Sequence, residues 1–127
     1  MLTLRFRPLW IAASLLLVLG VVWGSLQTTI GAEVPQGFDK IEHFGVYAFL
    51  AVWFTGLFHR PRYWLVAAGL VALGLAMEIA QYAMRAGRFG DPYDLAANTV
   101  GVAIGVLLGL VATGGWAQRV EAWLTAS

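Results

Sequence analysis

The residues able to carry acid–base or anion chemistry fall mainly in three short stretches. Asp39, Lys40 and His43 stand together, Glu78, Gln81 and Arg85 form a second group, and Arg88, Asp91, Asp94 and Asn98 a third. Lys40, His43 and Tyr47 are spaced by three and four residues, as are Glu78, Gln81, Tyr82 and Arg85, so on helices each set makes one stripe. Asp94, Asn98, Gly101 and Gly105 repeat that pattern. Side chains of these types suit a ligand carrying phosphate or carboxylate, with the guanidinium forks and the lysine as its contacts. The ligand-binding candidates are Asp39, Lys40, His43, Tyr47, Glu78, Gln81, Arg88, Asp94 and Asn98. If a reaction occurs, Glu78 or His43 is the candidate general base.

Each of these residues also has a plainer role. His43 serves as a proton carrier, a metal ligand or a hydrogen-bonding brace; with no HExxH pattern and no second histidine nearby, no metal site and no cofactor are expected. Asp94 stands where it would cap a helix after the turn Gly87-Arg88-Phe89-Gly90-Asp91-Pro92. Arg85 and Arg88 either meet an anion or pair with Asp91, Asp94 or Glu78. No phosphate-loop glycine motif, GxSxG elbow or Ser-His-acid set is present.

The elements that must position these groups are set by hydropathy. The chain has 127 residues, 60% hydrophobic and only 12% charged, against roughly half and a quarter in soluble domains. It requires lipid as part of its solvent. A net charge of +1 offers no basic surface for nucleic acid, and the absence of cysteine excludes disulfides and thiolate chemistry. The expected architecture is all-α: a single domain over 1–127, a four-transmembrane-helix bundle with spans at about 9–28, 41–58, 63–84 and 95–113. A signal peptide competes for the first span, but that run is long and lacks a convincing cleavage site. His59-Arg60-Pro61-Arg62 joins the second and third spans, and Gly114-Gly115 ends the fourth.

Direction follows from basic residues in short loops. Arg5, Arg7, Arg60, Arg62 and Arg119 fall on one side, Lys40, Arg85 and Arg88 on the other, so both termini are expected in the cytoplasm. The expected location is a cytoplasmic membrane, crossed several times. All three polar groups then meet at the non-cytoplasmic end. Glu78 lies six positions inside the third span's end, or roughly 9 Å along the axis. A carboxylate facing lipid at mid-bilayer costs roughly 2.5–3.5 kcal/mol, so Glu78 should face the bundle and find a partner or be neutral, with Lys40, His43 and Arg88 as candidate partners.

Two segments carry no activity in this reading. The tail WAQRVEAWLTAS puts Trp116, Val120, Trp123 and Leu124 on one face, which suits a short interfacial helix or a frayed end with aromatic anchors. Gly101, Gly105 and Gly109 form a small-residue seam for close helix approach, within the chain or to a second copy or an envelope protein.

DKIEHFGVYAFLA from Asp39, MEIAQ from Met77 and GRFGDPYDLAANTVGVAIG from Gly87, in that order and spacing, resemble the VanZ-like family of bacterial membrane proteins. The resemblance runs over about 38–109, and its pattern falls on Asp39, Lys40, His43, Phe44, Tyr47, Glu78, Gln81, Arg88, Asp94, Asn98 and Gly101. It implies the bacterial cell envelope, and through the family's namesake a link to glycopeptide (teicoplanin) resistance; it implies no particular reaction. Three functions fit. One is binding of an anionic lipid or cell-wall-related headgroup at the outer cluster. A second is a membrane enzyme acting on a lipid-linked phosphate. The third is a structural partner of another envelope protein.

Overall fold

The computed structural model describes residues 1–27, 37–84 and 91–126. Among them the chain is all-helical: α1 (Arg7–Leu26), α2 (Phe38–Leu57), α3 (Tyr63–Met84), α4 (Pro92–Leu108) and α5 (Trp116–Thr125). A short 3₁₀ turn at Arg60–Arg62, with Pro61 supplying its fixed φ, reverses the chain between α2 and α3. A single π-helical turn, Gly109–Thr113, extends α4.

Three helical segments are long and apolar enough to cross a membrane: Arg7–Leu26, Arg60–Met84 and Pro92–Thr113. α2 is not among them, although it has 20 residues. Its first turns carry Asp39, Lys40, Glu42 and His43, which lower its hydropathy where the four-span expectation needs a continuous apolar run. Its apolar residues are instead the most buried in the molecule: Tyr47, Leu50, Ala51 and Leu57 are nearly inaccessible and join Val66, Leu70 and Val102 in the core.

The closest approach is between α2 and α4, which run in the same direction. A methyl group at Gly101 would strike the Phe44 carbonyl, at Gly105 the Ala48 carbonyl and Ala51 side chain, and at Gly109 the Thr55 side chain. The glycine seam is thus filled by α2 of the same chain, and the missing side chains bring the two backbones together. α3 returns antiparallel against this pair. α1 lies outermost, with no fully buried residue; Leu15, Leu16, Leu19 and Trp23 turn outward, as suits contact with lipid.

Both termini meet at one end, called here the terminal end. Trp10, Trp53 and Trp116 pack there edge to face or tilted, with centroids 5.2–6.0 Å apart. Glu121 of α5 accepts from the amides of Arg5 at 2.7 Å and Phe6 at 2.8 Å and from the Trp10 indole at 2.7 Å, meeting donors that the start of α1 would otherwise leave open. The tail's expected apolar face leaves Trp123 and Leu124 outward, and its opposite side meets α1. Ala117 and Glu121 are its buried residues, while Trp123 and Leu124 are exposed. A carboxylate that meets three donors is accommodated inside without unsatisfied oxygens.

Candidate functional site

Opposite the terminal end, the first turns of α2 and α4 and the last turns of α3 bring the polar residues together. α4 begins three residues earlier than its hydropathy suggested. Asp91, not Asp94, is its N-cap: the Asp91 carboxylate accepts from the Tyr93 amide at 2.8 Å, and Pro92 occupies the first helical position. Asp94 is freed for the site.

Lys40 is the hub. Its Nζ donates to Asp91 Oδ2 at 2.8 Å and Asp94 Oδ1 at 3.1 Å, with Asp39 Oδ2 at 3.6 Å. These bonds hold the Lys40 ammonium well above its ordinary pKa. The bond from Lys40, then the Tyr93 amide, hold the Asp91 carboxyl below the usual range. His43 lies between Asn98 and Asp94: Nδ1 is 3.1 Å from Asn98 Oδ1 and Nε2 is 3.7 Å from Asp94 Oδ2. Asn98 is 1% exposed, and its Oδ1 can accept only if His43 carries a proton on Nδ1.

Glu78 is 8% exposed, facing the bundle as its depth requires. Of the expected cations, neither Lys40 nor His43 bonds to it, and Arg88 lies outside the described residues. Oε2 accepts the Asp91 backbone N–H at 3.0 Å, so the α3 carboxylate holds the start of α4, while Oε1 has no partner among the described residues. Tyr47, 2% exposed, also has an unpaired hydroxyl. Its ring lies against Gly74, where an added Cβ would also press on Asn98. Gln81, 7% exposed, turns away to donate to the Ser25 carbonyl of α1 at 2.7 Å. Tyr82 falls outside the stripe and is 69% exposed. Arg85 and Arg88 lie outside the described residues.

The structure thus unites Asp39, Lys40, His43, Asp94 and Asn98 in one bonded set and joins Glu78 to it through Asp91. Asp91 is the member that side-chain type alone did not single out as a ligand-binding residue; the Asp-Pro pair before an apolar run was the available signal. Two cavities flank the set. One of about 400 Å³ lies between α1 and α2, with Asp39, Glu42, His43 and Tyr47 among its walls. A smaller one of about 240 Å³ lies between α3 and α4, bordered by Glu78, Asp91 and Leu95. No group of side chains among the described residues has the composition of a metal site. Chemically, the arrangement offers one shared ammonium, several carboxylates, an imidazole and two unused buried polar atoms at the end of an apolar bundle.

A profile of the VanZ/LLP1 family matches residues 5–113. No curated protein and no solved structure matches the chain.

Proposed function

The chain belongs to the VanZ/LLP1 family, and from that premise we propose a multi-pass protein of the bacterial cytoplasmic membrane that holds a lipid or cell-wall-related headgroup at its polar cluster. In this reading α2 is the fourth span. It is buried between apolar helices, and its charged first turns sit at headgroup depth. The loop cations Arg5, Arg7, Arg60, Arg62 and Arg119 support a cytoplasmic terminal end and an outer-side cluster. α5, with Trp123 and Leu124 exposed, lies along the inner interface.

The observation that carries the reading is Lys40 among Asp39, Asp91 and Asp94, with a 400 Å³ cavity lined by Asp39 and His43 next to the set. Lys40 is the cation of the described cluster, and a phosphate or carboxylate approaching it exchanges with one of these carboxylates. Native mass spectrometry after minimal delipidation tests the proposal. Wild type is expected to retain a discrete anionic or phosphate-bearing lipid that Lys40→Met, still folded, loses; equal retention by both would refute the reading. If the headgroup belongs to a cell-wall intermediate, overproduction shifts teicoplanin tolerance, and Lys40→Met abolishes the shift.

One observation favours a second reading, an integral membrane enzyme acting on a lipid-linked phosphate. Glu78 keeps Oε1 unpaired beside an acid–base-capable set, which is the disposition of a general base, with His43 as the other candidate. Undiminished turnover of a lipid-linked phosphate by Glu78→Gln would remove Glu78 from that role. Assembly with a second copy or an envelope protein through Gly101, Gly105 and Gly109 requires α2 to leave the seam, and cross-linking that traps only monomer would exclude it.

A further inference from the structure

The larger cavity has the gradient of an amphiphile. Its α1 wall, Leu16, Leu17, Gly20, Val21 and Gly24, is apolar and spans roughly two turns before reaching Ser25. Its α2 wall rises from Val46 and Tyr47 to His43, Glu42 and Asp39 at the mouth. Gly20 and Gly24 meet open space on α1, so helix packing does not account for them. The volume, about 400 Å³, falls within the range of ligand pockets.

The mouth is acidic. Glu42 forms no ion pair among the described residues, and Lys40 directs its short bonds to Asp91 and Asp94 on the α4 side rather than toward the cavity. Tyr47 contributes ring surface to the wall, while its hydroxyl is buried inside the bundle. An occupant that complements these walls needs one apolar chain and a positive group between the Asp39 and Glu42 carboxylates. A phosphate near Lys40 completes the complement.

We propose that the α1–α2 cavity seats one chain of an aminophospholipid, whose primary ammonium is held by Asp39 and Glu42 and whose phosphate lies beside Lys40. This rests on the headgroup reading given above and adds both the lipid class and the place of its chain. The ammonium donates charge-assisted hydrogen bonds that a glycerol headgroup cannot supply. The lipid reaches the cavity sideways, between α1 and α2, beyond the Trp53–Ser14 bond, where α1 is next tied by Gln81 at Ser25.

The test is native mass spectrometry of the purified full chain in detergent micelles doped with equal amounts of phosphatidylethanolamine and phosphatidylglycerol. Wild type is expected to carry phosphatidylethanolamine at least about tenfold over phosphatidylglycerol, a difference of about 1.4 kcal/mol. Glu42→Gln combined with Asp39→Asn should bring the ratio near parity. Gly24→Leu, which fills the cavity without touching the cluster, should cut retention of both lipids about tenfold while leaving the unfolding temperature within a few degrees; Gly20→Leu serves as a second filler. Parity in wild type would overturn the ammonium contact, and full retention by both fillers would overturn the chain seat. Loss of lipid in Lys40→Met but in neither filler would leave the headgroup reading standing and defeat this inference alone. Retention of neither lipid by wild type would overturn both.

Discussion

Lys40 illustrates how the cluster is balanced at the level of single groups. Its ammonium is raised above its ordinary pKa by bonds to Asp91 and Asp94, and Asp91 is lowered by Lys40 and by the Tyr93 amide. The two signs bracket a window. Asp91's contribution is complete above the ordinary aspartate pKa of about 4 and is lost as pH falls through its depressed value. That of Lys40 is complete below the ordinary lysine pKa of about 10.4 and is lost as pH rises through its elevated value. The unfolding temperature in detergent should therefore have no dependence on this pair between about pH 5 and 9, and Lys40→Met should lower it across that range while shrinking the fall below about pH 4. An unchanged acid limb in that variant would contradict the assignment. Asn98 gives a sharper structural prediction. It is 1% exposed and its Oδ1 lies 3.1 Å from His43 Nδ1, so Asn98→Leu removes the partner of that ring nitrogen in a half-buried site and should cost about 1–3 kcal/mol, read as a lower unfolding midpoint. The residue types and their spacing made Lys40, His43, Asp94 and Asn98 legible in advance. Glu78 was legible as a bundle-facing carboxylate. Its partner was not, because a backbone N–H at Asp91 leaves no mark in the pattern of side chains.

Between elements, stability turns on two contacts of opposite character. The α2–α4 seam is close packing. Gly105→Ala places a methyl against the Ala48 carbonyl and Ala51 and should cost about 1–3 kcal/mol by overpacking, whereas Gly45→Ala, which meets open space, should be neutral or slightly stabilising. Equal unfolding midpoints for the two variants would show that the helices can separate freely. The α5–α1 contact is polar. Burial opposes ionisation of Glu121, but the Phe6 and Arg5 amides and the Trp10 indole outweigh it and hold the carboxyl below its ordinary pKa. That contribution is present at neutral pH and is lost as pH falls through the depressed value. Glu121→Ala should lower the unfolding temperature by several degrees at pH 7 and by less at pH 3; the same loss at both would place the stabilisation elsewhere. Periodicity gave the seam directly, since glycines four apart form one face. It left the Glu121 contact unforeseen, because the donors that Glu121 meets lie more than a hundred residues away, at Arg5 and Phe6.

For the molecule as a whole, hydropathy delimited the helices to within a few residues, and three of them are apolar enough to cross a membrane. α2 is where composition and architecture part: a helix that carries the site's charges at one end and the core's most buried residues at the other has no uniform hydropathy to read. The absence of cysteine makes the orientation directly testable. Single cysteines at the exposed positions Thr3, His59 and Phe38, treated with a membrane-impermeant maleimide on intact spheroplasts, should give labelling at Phe38→Cys alone; labelling at Thr3→Cys or His59→Cys would invert the topology. The central claim, that the cluster end holds a specific headgroup, is tested most directly by photo-crosslinking in native membranes. Benzoyl-phenylalanine is placed in turn at Phe38, on the first turn of α2, and at Trp64, exposed at the opposite end. The account predicts one discrete phosphate-bearing lipid adduct at Phe38, diminished by Lys40→Met, and only the mixture of bulk lipids at Trp64. The same bulk mixture at both positions would contradict it.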